Sequence, residues 1–573
     1  MSTNEAEKKV EDDEEEKKKG GELLFCGSTC WEAVGRRKGV LEGNLMSPTR
    51  LRPLVGVDIR FVASGCVSCH CVALDVEGRC YTWGRNEKGQ LGHGDTIQRD
   101  RPTIVSELLK YKIIKAGAGR SHTVVITEDG NSLAFGWNKH GQLGSGSTRN
   151  EIESSPVRCL VSQVTNTACG AEFTVWLSST EGASILTAGL PQYGQLGHGT
   201  DNEVCGEDEL SLMSLVHIFA AEYHSQSYAG CYNAKDSSVR LVYESQPRPR
   251  AIATLSGETI VKVACGTNHT VAVDTNGYVY TWGFGGYGRF VTCSPLLTSA
   301  LFQLGHREQK DEWVPRRIEV FQKHNVLPPT AVVSAGSVNS ACTAGGGQLY
   351  MWGKLKNTGD DWMYPKPLMD LSGWNLRCMD SGNMFHFVGA DSSCISWGHA
   401  QYGELGYGPT GQKSSAIPKK VDILEGMHVI SVACGMGHSM VIVDRTNIGD
   451  RLDQLEIYDG KGSDEGTAVS DTKTSVLKQN NKNGASKTPT SSKKRKKAKD
   501  ESETEEEENS DVESDSSGGH INGEVSGKGR GKGAKKSASV GKGKGRGQGN
   551  VRANKSSRSS QGKTSKRGRL RKV

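Results

Sequence analysis

Apolar and polar positions alternate most clearly over His269–Trp282, where two short apolar runs flank Asn276-Gly277. A type I′ turn needs positive φ at both central positions, so Asn-Gly between alternating runs predicts a β-hairpin. Val76-Glu77-Gly78 and Glu128-Asp129-Gly130 occupy the same place in similar stretches. A Trp-Gly-like pair ends such stretches at Trp83-Gly84, Phe135-Gly136, Ala188-Gly189, Trp282-Gly283, Trp352-Gly353 and Trp397-Gly398. A Gly-x-x-His-like marker opens them, at Gly119-Arg-Ser-His122, Gly170-Ala-Glu-Phe173, Gly266-Thr-Asn-His269, Gly336-Ser-Val-Asn339, Gly382-Asn-Met-Phe385 and Gly435-Met-Gly-His438. The interval of roughly 15–20 residues suits two short strands and a turn.

A third marker follows the Trp-Gly pair: Gly89-Gln-Leu-Gly92, Gly141-Gln-Leu-Gly144, Gly194-Gln-Leu-Gly197 and Gly403-Glu-Leu-Gly406. Each unit is a small sheet that cannot bury both faces alone, and units of about 50 residues made of short strands point to propeller blades. With Gly65 added, the Gly-x-x-His slots number seven. The last has no Trp-Gly half, but Leu23–Gly35 supplies one at the other end of the sequence. The expected fold is therefore all-β: a seven-bladed β-propeller over residues 23–444, closed by an N-terminal strand that removes the exposed edges.

The marker order, Trp83-Gly-Arg-Asn-Glu-Lys-Gly-Gln-Leu-Gly-His93, Trp282-Gly-Phe-Gly-Gly-Tyr-Gly-Arg289 and Cys26-Gly-Ser-Thr-Cys-Trp31 resemble the regulator of chromosome condensation repeat family. Within it they are most similar to the telophase-disc branch. The resemblance implies a nuclear, chromosome-associated regulator of a small GTPase of the Ran, Ral or Rac type. That regulator would be an exchange factor or GTPase-binding protein with a role in mitosis and chromosome segregation. It also implies association with centromeres and microtubules, with some protein in the cytoplasm or on the cytoskeleton. Exchange lowers nucleotide affinity by stabilising the nucleotide-free GTPase, a reciprocal coupling that needs no acid–base residues. The alternative is a non-enzymatic scaffold that binds chromatin or microtubules.

Two segments interrupt the pattern, 204–231 and 290–303; both are richer in Leu, Phe and Ser than the blades around them and carry no repeat marker. They read as retained non-coding sequence rather than functional lids, because long loops without structure are uncommon in compact domains. Lys354–Asp361 lacks the Gly-x-Leu-Gly half of its blade. The connection Asp201–Val261, between the third and fourth blades, is where the resemblance places a wedge-like insertion.

Charge separates the ends from the middle. The chain has 573 residues, 72 Gly and a formal net charge of +6. Residues 1–22, a leader expected to be disordered, hold 9 acidic and 5 basic residues, whereas 445–573 hold 18 acidic and 30 basic. That leaves the repeat region nearly neutral. Sparse in apolar residues, the tail cannot bury enough surface to offset chain ordering and is expected to be disordered. Its basic run Lys493, Lys494, Arg495, Lys496 and Lys497 reads as a nuclear-localisation signal. Asp500–Asp515 has 10 acidic residues and no basic one, which makes Ser502, Thr504, Ser510 and Ser514 candidates for an acidophilic kinase. Ser526–Val573 has 17 Lys and Arg and no acid. Its Lys528, Arg530, Lys532, Lys535, Lys536, Lys542, Lys544, Arg546, Lys566, Arg567, Arg569, Arg571 and Lys572 are candidates for salt-sensitive contact with the phosphates of DNA or chromatin. The absence of aromatics there argues against base stacking.

Little points to side-chain catalysis. The 16 cysteines read as free thiols, because Met1-Ser-Thr-Asn-Glu followed by acidic and lysine runs is the opposite of a signal peptide. No run of about 18 apolar residues suggests a membrane span. Cys66-Val-Ser-Cys69-His70 has the form of a haem-attachment string but stands in a repeat slot, so strand packing is expected. Gly283-Phe-Gly285-Gly-Tyr-Gly288 copies a repeating turn, and phosphate binding would need a helix directly after it. His122, His269 and His438 are expected to be packed positions, since Phe173, Asn339 and Phe385 stand in their place elsewhere. Phosphate-binding Gly-x-x-x-x-Gly-Lys-Ser/Thr and Gly-x-Ser-x-Gly strings are absent, and no cofactor or metal is expected. The Gly-Trp-Arg-His-Thr strings of ultraviolet-sensing propellers are also missing; the slots hold Arg120-Ser121, Thr267-Asn268 and Met436-Gly437.

Overall fold

The computed structural model describes residues 20–36, 43–200, 203–204, 232–233, 236–239, 242–286, 303–308, 310–355, 362–446 and 448–460. They build seven blades, of which the first six are antiparallel sheets whose strands follow the chain order outward from the centre. Blade one is Ile59–Ala63, His70–Asp75, Cys80–Gly84 and Arg99–Ile104, and blade two is Ile113–Ala118, His122–Thr127, Ser132–Trp137 and Ile152–Arg158. Blades three to six repeat the plan, opening with inner strands Val164–Cys169, Ile260–Cys265, Val333–Ala335 and Leu376–Ser381. The second strand of every blade is buried along its whole length, and these strands read as continuous apolar and Thr/Ser runs. No helix among the described residues is long and apolar enough to cross a membrane.

One packing unit recurs between neighbouring blades. The second glycine of Gly-x-Leu-Gly lies against an aromatic ring and the outer-strand proline of the next blade; the ring is that of the Trp-Gly pair for Gly305 and that of Trp176, on the second strand, for Gly144. A Cβ on Gly144 would stand 2.6 Å from the Trp176 ring and 2.9 Å from Pro249, and one on Gly305 would stand 3.0 Å from Trp352 and 3.3 Å from Pro365. Gly144 also has φ +64°, which L side chains adopt at a cost. The proline is tolerated because the outer strand is a sheet edge with no further ladder to feed. A second ring of close contacts surrounds the centre, where a Cβ on Gly119 would lie 2.6 Å from the Gly170 carbonyl oxygen and one on Gly382 2.7 Å from that of Gly435. The two recurring glycine markers are thus points of contact between blades.

The seventh blade joins both halves of the sequence. Its order is Val429–Cys434, His438–Val443, Glu22–Gly27, Leu45–Leu51 and Ile457–Tyr458. Glu22–Gly27 pairs antiparallel with His438–Val443, Glu22 opposite Val443 and Gly27 opposite His438. Closure by an N-terminal strand is as expected, with a second N-terminal strand added outside it. The folded body also continues past residue 444, where a disordered tail is expected from sequence. Gly449–Leu452 forms a short helix, and Ile448, Leu452 and Leu455 are buried with Leu424 and Val429. Ile457–Tyr458 then pairs parallel with Arg50 and Leu51. Three apolar residues and one strand pair anchor this strap, which carries no repeat marker.

Two further placements differ from the sequence reading. Gln246–Ala251 pairs with Ile185–Gly189 and is the outer strand of blade three, so the long connection lies within that blade and not between blades three and four. Gln303, assigned from sequence to the segment 290–303, is buried in the slot of Gln90 and Gln142. Its carbonyl accepts the Ser340 hydroxyl at 3.0 Å, as that of Gln142 accepts Thr174 at 2.7 Å. Residues 1–19, 205–231, 287–302 and 356–361 lie outside the described residues, as does the whole unit Ser470–Val573.

Candidate interaction face

Each inner strand runs toward its Gly-x-x-His loop, and each third strand ends at its Trp-Gly pair, so both sets of loops share one face of the ring. The histidines hold this face together from beneath. The Thr123 hydroxyl donates to Gln90 O at 2.8 Å, which leaves its oxygen to accept His70 Nε2–H at 2.8 Å from the preceding blade. Thr174 accepts His122 Nε2 at 2.9 Å and Ser340 accepts His269 Nε2 at 2.9 Å in the same way. At the closing seam His438 Nε2 lies 3.1 Å from Ser64 Oγ and 3.1 Å from Cys71 Sγ. Burial disfavours the charged ring and lowers His70, His122 and His438 to about 3 and His269 to about 4. They are neutral links between blades, the packed positions expected from sequence.

The Cys-x-x-Cys-His string is part of the same framework. Cys66, Cys69 and His70 are buried. Cys66 Sγ lies 3.8 Å from Thr267 Oγ1, and Cys69 Sγ lies 3.8 Å from Met436 Sδ. Burial pushes the Cys66 thiol up to about 12 and raises that of Cys69, so neither is a ready thiolate. Around Gly283 the Phe284 N–H donates to Asn268 O at 2.8 Å and the Gly285 N–H to an Asp311 carboxylate oxygen at 2.9 Å. These two amides are therefore used internally, and Tyr287 and Gly288 lie outside the described residues.

What the face offers outward lies between the markers. Arg120, Glu172 and His140 form one polar group, with Arg120 at 3.4 Å and His140 at 3.3 Å from the Glu172 carboxylate. His140 rests edge-on against Trp137, over which Lys88 is placed at 5.5 Å. Tyr193 and Phe284 contact across blades three and four at 4.8 Å. Near the closing seam Arg36 and Glu87 form a two-pronged pair at 2.6 and 2.5 Å beside a cavity of about 410 Å³, also lined by Glu32, Asn86, Thr96 and Gln98. Arg85 fixes this corner by donating to Trp31 O and Val34 O, both at 2.7 Å. Exposed charges and half-buried aromatics on a rigid frame suit recognition of another protein surface. No acid–base pair stands beside a nucleophile among these groups.

Sequence reasoning did not single out these side chains. The usable signal was variation inside a constant frame: Arg120-Ser121, Ala171-Glu172, Thr267-Asn268, Ser337-Val338, Asn383-Met384 and Met436-Gly437 differ in every copy. The candidates that were singled out, Lys493–Lys497, Ser502, Thr504, Ser510, Ser514 and the basic residues Lys528–Lys572, all lie outside the described residues.

Known proteins share this architecture. The model of the regulator of chromosome condensation (RCC1) repeat matches residues 77–126, 129–177, 236–273 and 391–442, and a second model of the repeat matches 61–90, 113–142 and 260–289. The chain is 35% identical over 447 residues to protein RCC2 of Homo sapiens, covering 74% of this chain and 76% of that protein. Among solved structures, human WBSCR16 superposes with a TM-score of 0.55 at 19% identity, covering 74% of this chain and 100% of the other. Prp20p of Saccharomyces cerevisiae gives 0.53 at 18% identity, covering 77% and 97%. Those two likenesses concern the fold alone. From the repeat matches and the extended similarity to RCC2, the chain belongs to the regulator of chromosome condensation repeat family.

Proposed function

We propose that this protein regulates a small GTPase, which it binds through the face of variable loops, and that its basic tail holds it on chromatin in the nucleus. The carrying observation is the similarity to RCC2 over 74% of the chain, combined with a face whose loops vary while the frame beneath them repeats. Prp20p, which shares the fold, is described with its binding properties to Gsp1p and histones. In the proposed mechanism the face stabilises the nucleotide-free GTPase and so lowers nucleotide affinity; the neutral, buried histidines take no chemical part. The Ran, Ral or Rac type of partner and a role in mitosis and chromosome segregation belong to the same proposal. Release of fluorescent nucleotide from each GTPase type in the presence of the full chain tests it. Accelerated release from one type is expected; unchanged release from all three would end the exchange reading.

A second reading, a chromatin- or microtubule-binding scaffold, draws on the tail block of 17 Lys and Arg without an acid. It expects co-sedimentation with nucleosomes or microtubules and no change in nucleotide release.

A further inference from the structure

The seam between blades five and six departs from the one before it. In the preceding seam His269 reaches the Ser340 hydroxyl at 2.9 Å, and Ser340 in turn bonds Gln303 O at 3.0 Å. The equivalent positions one blade on are Asn339 and His386. Both are fully buried, yet Asn339 Oδ1, Asn339 Nδ2 and His386 Nε2 have no hydrogen-bond partner among the described residues. The sequence between Gly353 and Trp362 also contains no Gly-Gln-Leu-Gly, and residues 356–361 lie outside the described residues.

An amide is shorter than an imidazole and stops short of the next blade. The other ring nitrogen is occupied: His386 Nδ1 stands 3.0 Å from Ser381 Oγ, which stands 2.9 Å from Ser334 Oγ, itself 3.4 Å from the Asp380 carboxylate. Each hydroxyl in this chain can point either way, so His386 Nε2 can face the seam as donor or as acceptor. The Asn339 amide likewise offers both. Burial of three such atoms without partners would be costly.

We propose that a buried water molecule occupies the seam between blades five and six, bridging Asn339 and His386 in place of the direct histidine–hydroxyl bond used between blades four and five. Water is the ligand that fits because it donates and accepts, matching the Asn339 amide and either orientation of the Ser381–His386 bond. A cation would be repelled whenever Nε2 carries its proton, and an apolar occupant would leave all three atoms unsatisfied. The bridge turns this seam from a direct contact into a hydrated one, connected through Ser381 and Ser334 to Asp380 on the inner strand.

High-resolution crystallography of the full chain tests the site. A density peak within hydrogen-bond distance of both the Asn339 amide and His386 Nε2 is expected. An empty seam, or direct Asn339–His386 contact, would overturn the proposal. The double variant Asn339→His, His386→Thr recreates the histidine–hydroxyl pairing of the preceding seam. It is expected to lose the peak and to raise Tm by about 2 °C through a direct bond without an immobilised water. A folded double variant that keeps the peak, or one with a lowered Tm, would also overturn it.

Discussion

Glu22 and Arg445 stand 423 residues apart in sequence and meet in an ion pair of 2.8 Å at the closing blade. The Glu22 side chain is 1% exposed and also receives Arg50 Nε at 3.0 Å. Arg445 bonds Asp58 as well, and Arg50 reaches Asp453 at 3.1 Å. One buried carboxylate thus ties the first strand, the second strand and the strap that leads into the tail.

Breaking this cluster should loosen the ring. Removing one partner of a buried pair leaves the other charge desolvated and unpaired, so Glu22→Gln is expected to cost about 3 kcal/mol in urea unfolding. Truncation after Asp444 should lower the midpoint further, because it removes Arg445, the buried Ile448, Leu452 and Leu455, and the Ile457–Tyr458 strand. Truncation after Gly460 should leave it unchanged. Equal midpoints for the two truncations would refute the structural role of the strap.

The buried histidines set an acid limit on stability. Their folded values near 3 to 4 lie below the unfolded value of 6.5. The unfolded chain therefore takes up protons first, and stability is full above about pH 6.5 and lost as pH falls toward 3. Asp380, pushed up to about 7 by burial, acts in the opposite sense, its contribution being full below 3.8 and lost as pH rises through 7. With His386, also lowered to about 3, the five buried histidines outweigh Asp380 and the Glu404 carboxyl that burial likewise raises, so the urea midpoint should fall steeply between pH 6 and pH 4, measurable by tryptophan fluorescence. His122→Phe should remain folded, since Phe173 and Phe385 fill the same slot, and should flatten part of that slope.

The blade seams predict intolerance at specific glycines. Gly144→Ala combines a positive φ with a Cβ placed 2.6 Å from Trp176. A cost of about 2 to 3 kcal/mol is expected, made up of backbone strain and overpacking. Gly56→Ala, with positive φ but nothing within 4 Å, should cost only the backbone part. Similar midpoints for the two variants would remove the packing explanation.

The tail prediction is independent of the ring. Deleting Lys493–Val573 is expected to exclude the protein from nuclei and to weaken DNA binding while leaving the melting temperature unchanged. Binding by the intact chain should fall steeply with added salt, as phosphate contacts by lysine and arginine require. Full nuclear retention of the shortened chain would remove the localisation proposal.

The repeats were readable because each marker states a local requirement. Asn276-Gly277 marks its hairpin, although only Gly277 has positive φ and the turn is therefore not the expected type I′, and Gly144 and Gly305 keep clear of the next blade, wherever the copies lie in the ring. The interaction face was less legible. Arg120, Glu172 and His140 come from two blades and acquire meaning only when their loops are side by side. The boundaries were least legible: Ile448, Leu452 and Leu455 are ordinary apolar residues outside any repeat, and Gln303 is separated by an interruption from the glycine that marks its copies.

The sequence by itself determined the blade count, the hairpin within each blade and the joining of its two ends. These follow from turn chemistry, alternation and repeated spacing, all of which act within about 50 residues. Only the tertiary structure decided how the ring is locked and where its seams differ. The Glu22–Arg445 pair, the strap of 445–460 and the placing of Asn339 opposite His386 each depend on residues brought together by closure, and such contacts leave no periodic trace along the chain.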